Sequence, residues 1–425
     1  MNKKLIALAV AGALGAPLMA SAAPGDGVTL FGRVGVEYGS IDIDQVAGPN
    51  QYRQESLSDN AGASRWGLLI TEDLGNGLKA NARVEYGFRT GNGNIDSVRE
   101  QWVGLSGQNW GALQLGRVQS PFKDFAGGGS IDPFVTTNLQ ARGSGGAMYA
   151  PANGMGAAAF VDHAIRYNSP SWGPFSMALL ASPGDATQTD PNASAFAVNP
   201  TTGAVAATPA NGGNVGGKGG GNNYQLGLKF KIGSAGEIFG GYSVDEANDA
   251  QKLVVTNGTT GDDEKVWRLG TAWNFGGFRI AGQYEKIEHA LAGNGGTTCS
   301  GGASANGNGD NGISTAQCNT SLNTNGDGDI WFLTTQYKIG KTTLVLQGGE
   351  TNADAVGTMN EREAKNLTAG AIYSLSKRTR VFGGYQRVSV DGARNVANTT
   401  TTAATAILAT QPDRETWTIG MRHDF

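Results

Sequence analysis

Apolar and polar residues alternate with a period of two through most of this chain. In the final segment Trp417, Ile419, Met421, His423 and Phe425 fall on one face, and Thr416, Thr418, Gly420, Arg422 and Asp424 on the other. Leu78, Ala80, Ala82, Val84, Tyr86 and Phe88 alternate with Lys79, Asn81, Arg83, Glu85, Gly87 and Arg89. Tyr224, Leu226, Leu228, Phe230 and Ile232 alternate with Gln225, Gly227, Lys229 and Lys231. Residues two apart share one side of a strand, so the pattern predicts strands with one apolar and one polar face. With the Gly, Asn and Pro turn signals between them it predicts sixteen: 28–40, 64–73, 78–90, 99–106, 112–117, 162–169, 174–181, 223–232, 237–245, 264–274, 278–288, 329–338, 342–351, 365–375, 379–390 and 414–425.

The connections alternate in length. Gly75-Asn76-Gly77, Gly107 to Gly111, Pro170 to Gly173, Gly233 to Gly236, Gly276-Gly277, Gly340-Lys341 and Ser376-Lys377 are short. The segments 41–63, 91–98, 118–161, 182–222, 246–263, 289–328, 352–364 and 391–413 are long. After the first 22 residues no window is long and apolar enough for a membrane helix. A closed antiparallel barrel satisfies all its backbone groups in lipid and carries this asymmetry, with tight periplasmic turns and long outer loops. The polar face cannot turn to lipid, where each Arg or Lys costs about 2–4 kcal/mol at the midplane, so it faces inward. Sixteen strands enclose a space too wide for side chains to fill, and a water-filled channel follows. Tyr38, Trp66, Tyr86, Trp267, Trp331, Tyr385 and Trp417 gather near strand ends, as interfacial girdles do; the parity of Trp102 is ambiguous.

Composition agrees with an all-β transmembrane barrel. Glycine supplies 67 of 425 residues, roughly twice its ordinary share, and charged residues only 16%. Lys3 and Lys4, the apolar run Leu5 to Met19, and Ala20-Ser21-Ala22 read as a secretory leader over 1–22, leaving a barrel domain over 23–425. Without the two leader lysines 30 basic residues stand against 36 acidic ones, a net charge of −6 that disfavours nucleic acid as a partner. Cys299 and Cys318 lie in one Gly/Asn-rich segment, where a disulfide would close a loop of about 20 residues, worth roughly 3 kcal/mol; two free thiols are the alternative.

Several short runs resemble one family. Val28-Thr29-Leu30-Phe31-Gly32, Ser64-Arg65-Trp66-Gly67, Thr71-Glu72-Asp73-Leu74-Gly75-Asn76-Gly77-Leu78-Lys79-Ala80, Trp102-Val103-Gly104-Leu105, Gly111-Ala112-Leu113-Gln114-Leu115-Gly116-Arg117 with Pro121, and Gly420-Met421-Arg422-His423-Asp424-Phe425 resemble the general porins of Gram-negative bacteria. The resemblance runs through the strands of the whole mature chain and departs from the family in the long segments 182–222 and 289–328. It implies an outer-membrane homotrimer set in lipid that includes lipopolysaccharide, with one pore per subunit. It implies that the terminal Phe425 is part of an assembly signal. It also implies that the third loop, here Gln119 to Tyr149 with Lys123, Asp124 and Asp132, folds into the pore and sets acidic groups against a basic wall. Face parity makes Arg33, Arg65 and Arg83 the wall candidates, with Glu37 and Glu85 also inward; Arg117 stands at a strand end.

Passive diffusion of ions and small hydrophilic solutes is the function so implied. A substrate-specific channel stays open, with Phe122, Phe125 and Phe134 as a hint, and so does a structural or adhesive barrel acting through its outer loops. The acidic excess points to a weak cation preference, which arginines at a constriction would reverse. No cofactor and no enzymatic activity are expected. Gly340-Lys341-Thr342 has Thr335 where a phosphate loop needs glycine. His163, His289 and His423 lack metal-ligand spacing. Asn323, Asn325, Asp327 and Asp329 lack the twelfth-position Glu of a calcium loop, Thr334 standing there.

Overall fold

The computed structural model describes residues 27–43, 52–58, 64–91, 93, 95–125, 127, 131–141, 160–183, 195–198, 205–208, 222–247, 255–256, 259–260, 262–289, 326–355, 361–391 and 413–425. The leader 1–22 and both cysteines, Cys299 and Cys318, lie outside these residues.

Sixteen antiparallel strands close into one barrel. They are β1 (Gly27–Ile43), β2 (Ser64–Gly75), β3 (Leu78–Phe88), β4 (Ile95–Gly107), β5 (Gly111–Gln119), β6 (Phe160–Asn168), β7 (Phe175–Ser182), β8 (Asn223–Ile232), β9 (Gly236–Asp245), β10 (Glu264–Phe275), β11 (Phe278–Glu288), β12 (Gly328–Ile339), β13 (Thr342–Ala353), β14 (Arg362–Ser374), β15 (Thr379–Asp391) and β16 (Asp413–Asp424). Each pairs with the next, and β16 pairs with β1 from Arg33↔Asp424 to Ile43↔Arg414, which leaves no open edge for lipid to meet. Phe425 extends the closure: its N–H donates to the Gly32 carbonyl, and its carbonyl accepts from the Gly32 N–H, both at 3.0 Å. Gly32 is needed there, because a Cβ would lie 2.5 Å from the Phe425 ring and from the Arg65 carbonyl.

The two faces run as the alternation requires. Leu269, Leu333, Leu367 and Ile419 are exposed outward, while Arg83, Glu85, Gln225, Thr416 and Arg422 are buried inward. An apolar exterior around a polar interior inverts the usual soluble arrangement, and it suits a barrel solvated by lipid. Leu333 stands midway along β12, and Leu333→Arg is expected to cost about 2–4 kcal/mol of barrel stability; urea unfolding in lipid vesicles would show it. A loss near zero there would mean that this face does not meet hydrocarbon. Trp102 is buried inward with its indole N–H 2.9 Å from a Glu100 carboxylate oxygen, which resolves its parity.

Two strand boundaries differ from the expectation for a clear local reason. The outer half of β1 runs on to Ile43 because a strand at Tyr52–Ser58 pairs with it from Glu37↔Ser58 to Ile43↔Tyr52. This strand has no apolar alternation to reveal it. β4 starts at Ile95, inside the segment expected to be loop, because a bulge breaks its period: Val84 faces Gln101 but Tyr86 faces Val98. Short pairings at Ala195–Val198 with Val205–Thr208, and at Val255–Thr256 with Thr259–Thr260, lie within two of the long outer segments.

Candidate functional site

Between β5 and β6 the chain enters the barrel. Ser120 caps the one-turn helix α1 (Pro121–Asp124): its hydroxyl accepts from the Lys123 N–H at 3.1 Å, and Pro121 fills the first turn, where no N–H is needed. Inward-facing side chains then hold the segment. Arg166 on β6 pairs with Asp124 at 2.8 Å. Arg268 on β10 donates to the Phe122 carbonyl at 2.6 Å, lies over the Phe122 ring, and pairs with Glu285 on β11. Residues 131–141 reach the far wall, where the Asn138 N–H donates to both carboxylate oxygens of Glu37 at 3.0 and 2.9 Å.

Arginines line the wall from β15 to β4. Arg380 lies directly opposite Arg422 across β15–β16, and Arg33 directly opposite Arg65 across β1–β2. Like charges so placed repel, and the carboxylates between them offset part of that cost. Asp424 accepts from Arg33 and Arg422, each at 3.2 Å. Glu85, wholly buried, pairs with Arg83, with Arg99 at 2.5 Å and with Arg65 at 3.6 Å. Glu100 pairs with Arg83 at 3.3 Å and accepts from Gln119 at 2.6 Å. Arg83 also stacks on Phe31, 4.5 Å from the ring centre. From the loop side Lys123 sits 3.8 Å over the Phe160 ring. Desolvation, and then Arg99 and Arg65, push the Lys123 ammonium well below the ordinary lysine pKa, against the opposing pull of Glu85 and Glu100. Arg380, Arg422, Arg33, Arg65, Arg83, Arg99 and Lys123 thus stand against Asp424, Glu37, Glu85 and Glu100.

The six constriction candidates occupy different settings. Arg33, Arg65 and Arg83 belong to this wall, and Arg33 also donates to the Thr136 hydroxyl of the loop at 3.3 Å. Arg117 is bound elsewhere: its guanidinium donates to the carbonyls of Val98 and Arg99 at 3.2 and 3.0 Å and pairs with Asp162 at 2.5 Å. Asp124 is held by Arg166. Asp132 is fully buried, and its two oxygens accept from the N–H groups of Phe134 and Ala141 at 3.0 and 2.9 Å, a bond set that folds the loop on itself. Of the two loop acids, Asp124 thus meets one wall arginine, Arg166, while Asp132 is turned into the loop's own backbone. Phe122, Phe125 and Phe134 are buried as anchors, not arrayed along a passage.

Arg99 and Glu100 escaped the sequence reading. Successive residues point to opposite faces in a regular strand, yet both are buried here, because the β4 bulge sets the pair of them against Glu85 alone. Arg166 and Arg268 have inward parity and could have been listed from alternation; their loop contacts could not.

A family model described as Gram-negative porin matches residues 7–393. This chain belongs to that family. An outer membrane porin of Bordetella pertussis is 32% identical over 199 residues, covering 42% of this chain and 47% of that protein. Outer membrane porin protein 32 of Delftia acidovorans is 36% identical over 184 residues, covering 41% and 48%. The aligned stretches thus span about half the length of these relatives. In fold, this porin is similar to an anion-selective porin from Comamonas acidovorans, with a TM-score of 0.62 and 20% identity over 94% of this chain and all of that one. Its inward third loop and arginine wall are the features on which a functional reading of this porin turns.

Proposed function

We propose that this porin forms a water-filled channel in the outer membrane of a Gram-negative cell, and that ions and small hydrophilic solutes cross it by passive diffusion with a preference for anions. The observation that carries this reading is the row Arg380–Arg422 and Arg33–Arg65, continued by Arg83 and Arg99, facing the loop. In a narrow wet passage with low-dielectric walls, fixed cations focus the field and concentrate counter-ions. Local charge outweighs the formal net charge of −4, so the acidic total does not make the channel cation-preferring. The similarity to an anion-selective porin points the same way, but at 20% identity it carries the fold, and the preference rests on the arginines.

Transport involves no catalytic step. The assembly is a homotrimer, the leader 1–22 is removed on export, and Phe425 closes the barrel as part of the assembly signal. The outer ends of the strands, where Lys286, Lys365 and Arg387 face outward above the aromatic girdle, meet lipopolysaccharide.

Conductance of the purified protein in a planar bilayer tests the reading. Stepwise insertion, closure in three equal substates and a reversal potential of anion-selective sign in a KCl gradient are expected. Silence from a folded, heat-modifiable oligomer would shift attention to the outer loops, and a cation-selective sign would mean that the arginine wall does not face the passage.

A further inference from the structure

We propose that Gln347 and Gln386 are positioning residues for the channel: they clamp the Leu139 carbonyl and so hold the far end of the third loop against β13 to β15, fixing the width of the passage. This rests on the channel reading above. Two side-chain amides from different strands, Gln347 on β13 and Gln386 on β15, converge on the one carbonyl oxygen, each at 3.1 Å. Both side chains are almost wholly buried, at 1% and 2% exposure, so neither bond is shared with bulk water. Gln386 also donates to the Thr368 hydroxyl at 3.1 Å, which holds its amide in place.

The two glutamines belong to a neutral row. Thr334, Gln347, Thr368, Gln386 and Thr416 lie directly opposite one another in turn across β12 to β16. Amide and hydroxyl groups can bind a backbone carbonyl without adding charge to a lumen whose other wall is strongly basic. The clamp is completed from β1, where Glu37 accepts the Asn138 N–H, so consecutive backbone groups of the loop are held from two sides.

Beneath the clamp the wall is shaped to receive the loop. Phe134 and Leu139 are fully buried against Val345, Ile372 and Phe382. Gly370 and Gly384 lie directly opposite each other there; a Cβ would stand 2.7 Å from the Phe134 ring at the first and 2.9 Å from a Leu139 methyl at the second. The cup blocks retreat toward β14 and β15. A loop end freed from it moves toward Arg33 and Arg422, to which Thr136 is already bonded at 3.3 Å.

The test is single-channel recording of Q347L/Q386L, which keeps side-chain bulk and removes both donors, and separately of G370V, which fills the cup and leaves both glutamines intact. Losing the two buried neutral hydrogen bonds to the Leu139 carbonyl should raise the frequency of partial closures by roughly tenfold, and the size limit for neutral polyethylene glycols should fall. In Q347L/Q386L the reversal potential and the heat stability of the oligomer should stay as in the unsubstituted protein, because the arginines and the strand backbones are untouched; in G370V the new Cβ also meets the Gly383 carbonyl at 2.5 Å, so only its reversal potential should stay. The single variant Q386L, the one to use if the double variant does not insert, should fall between. Quiet channels with an unchanged polymer cut-off in Q386L and G370V would overturn the proposal while leaving the channel reading in place. Absence of conductance in the unsubstituted protein would instead overturn the channel reading, and this proposal with it.

Discussion

Replacing Arg33, Arg65 and Arg380 together with serine moves the reversal potential in a KCl gradient toward, and past, the value of an unselective pore. These three are chosen because each neighbouring carboxylate keeps another cation: Asp424 retains Arg422, and Glu85 retains Arg83 and Arg99. The fold should therefore survive the change. What is lost is the whole Arg33–Arg65 pair and one member of the Arg380–Arg422 pair. The anion-to-cation permeability ratio should fall by roughly tenfold, the lower end of what focused fields achieve in lined clefts. The change should also shrink as salt rises, since the screening length drops from about 10 Å at 0.1 M to about 3 Å at 1 M. A reversal potential that does not move at low salt would place these side chains away from the ion path.

Glu85→Leu should be among the most damaging single substitutions on the inner wall. Three guanidinium groups, those of Arg65, Arg83 and Arg99, converge on a carboxylate with no exposed surface. Removing it leaves buried like charges without their common partner, and breaking a buried pair from one side typically costs about 3–5 kcal/mol. Denaturant unfolding of the barrel in vesicles measures this loss. Taking out one of the crowded cations as well, in E85L/R83L, should recover part of it, and the double-mutant cycle gives the coupling directly. If the double variant is no more stable than E85L, Glu85 is not the hub that the ion pairs describe. Any E85L protein that does fold should be more anion-preferring, which separates loss of stability from loss of selectivity.

The barrel itself was legible because its cause is local. A strand between lipid and water must alternate, so faces could be assigned residue by residue: Arg33, Arg65, Arg83 and Glu37 inward, Leu226, Ile419 and Met421 outward. Across the three-residue turn Gly75-Asn76-Gly77 the register follows from counting back along both strands, which sets Leu69 opposite Arg83. Strand pairs joined by long segments were another matter. Arg33 meets Arg65 across β1 and β2, whose connection runs through 44–63, and nothing in the intervening sequence fixes that register. Arg99 and Glu100 were hidden by the bulge, which reverses parity within a single strand. Asp124 and Asp132 were seen as loop acids, but whether a loop carboxylate faces the lumen, a wall arginine or its own backbone is decided by how the loop docks.

The sequence by itself determined the strands, their faces, the closed architecture and the family, because alternation and turn chemistry act over a few residues. Only the tertiary structure decided which charges meet. Closing sixteen strands sets the stagger between segments far apart in the chain, and that stagger brings Arg380 to Arg422, Arg33 to Arg65, and the Leu139 carbonyl to Gln347 and Gln386.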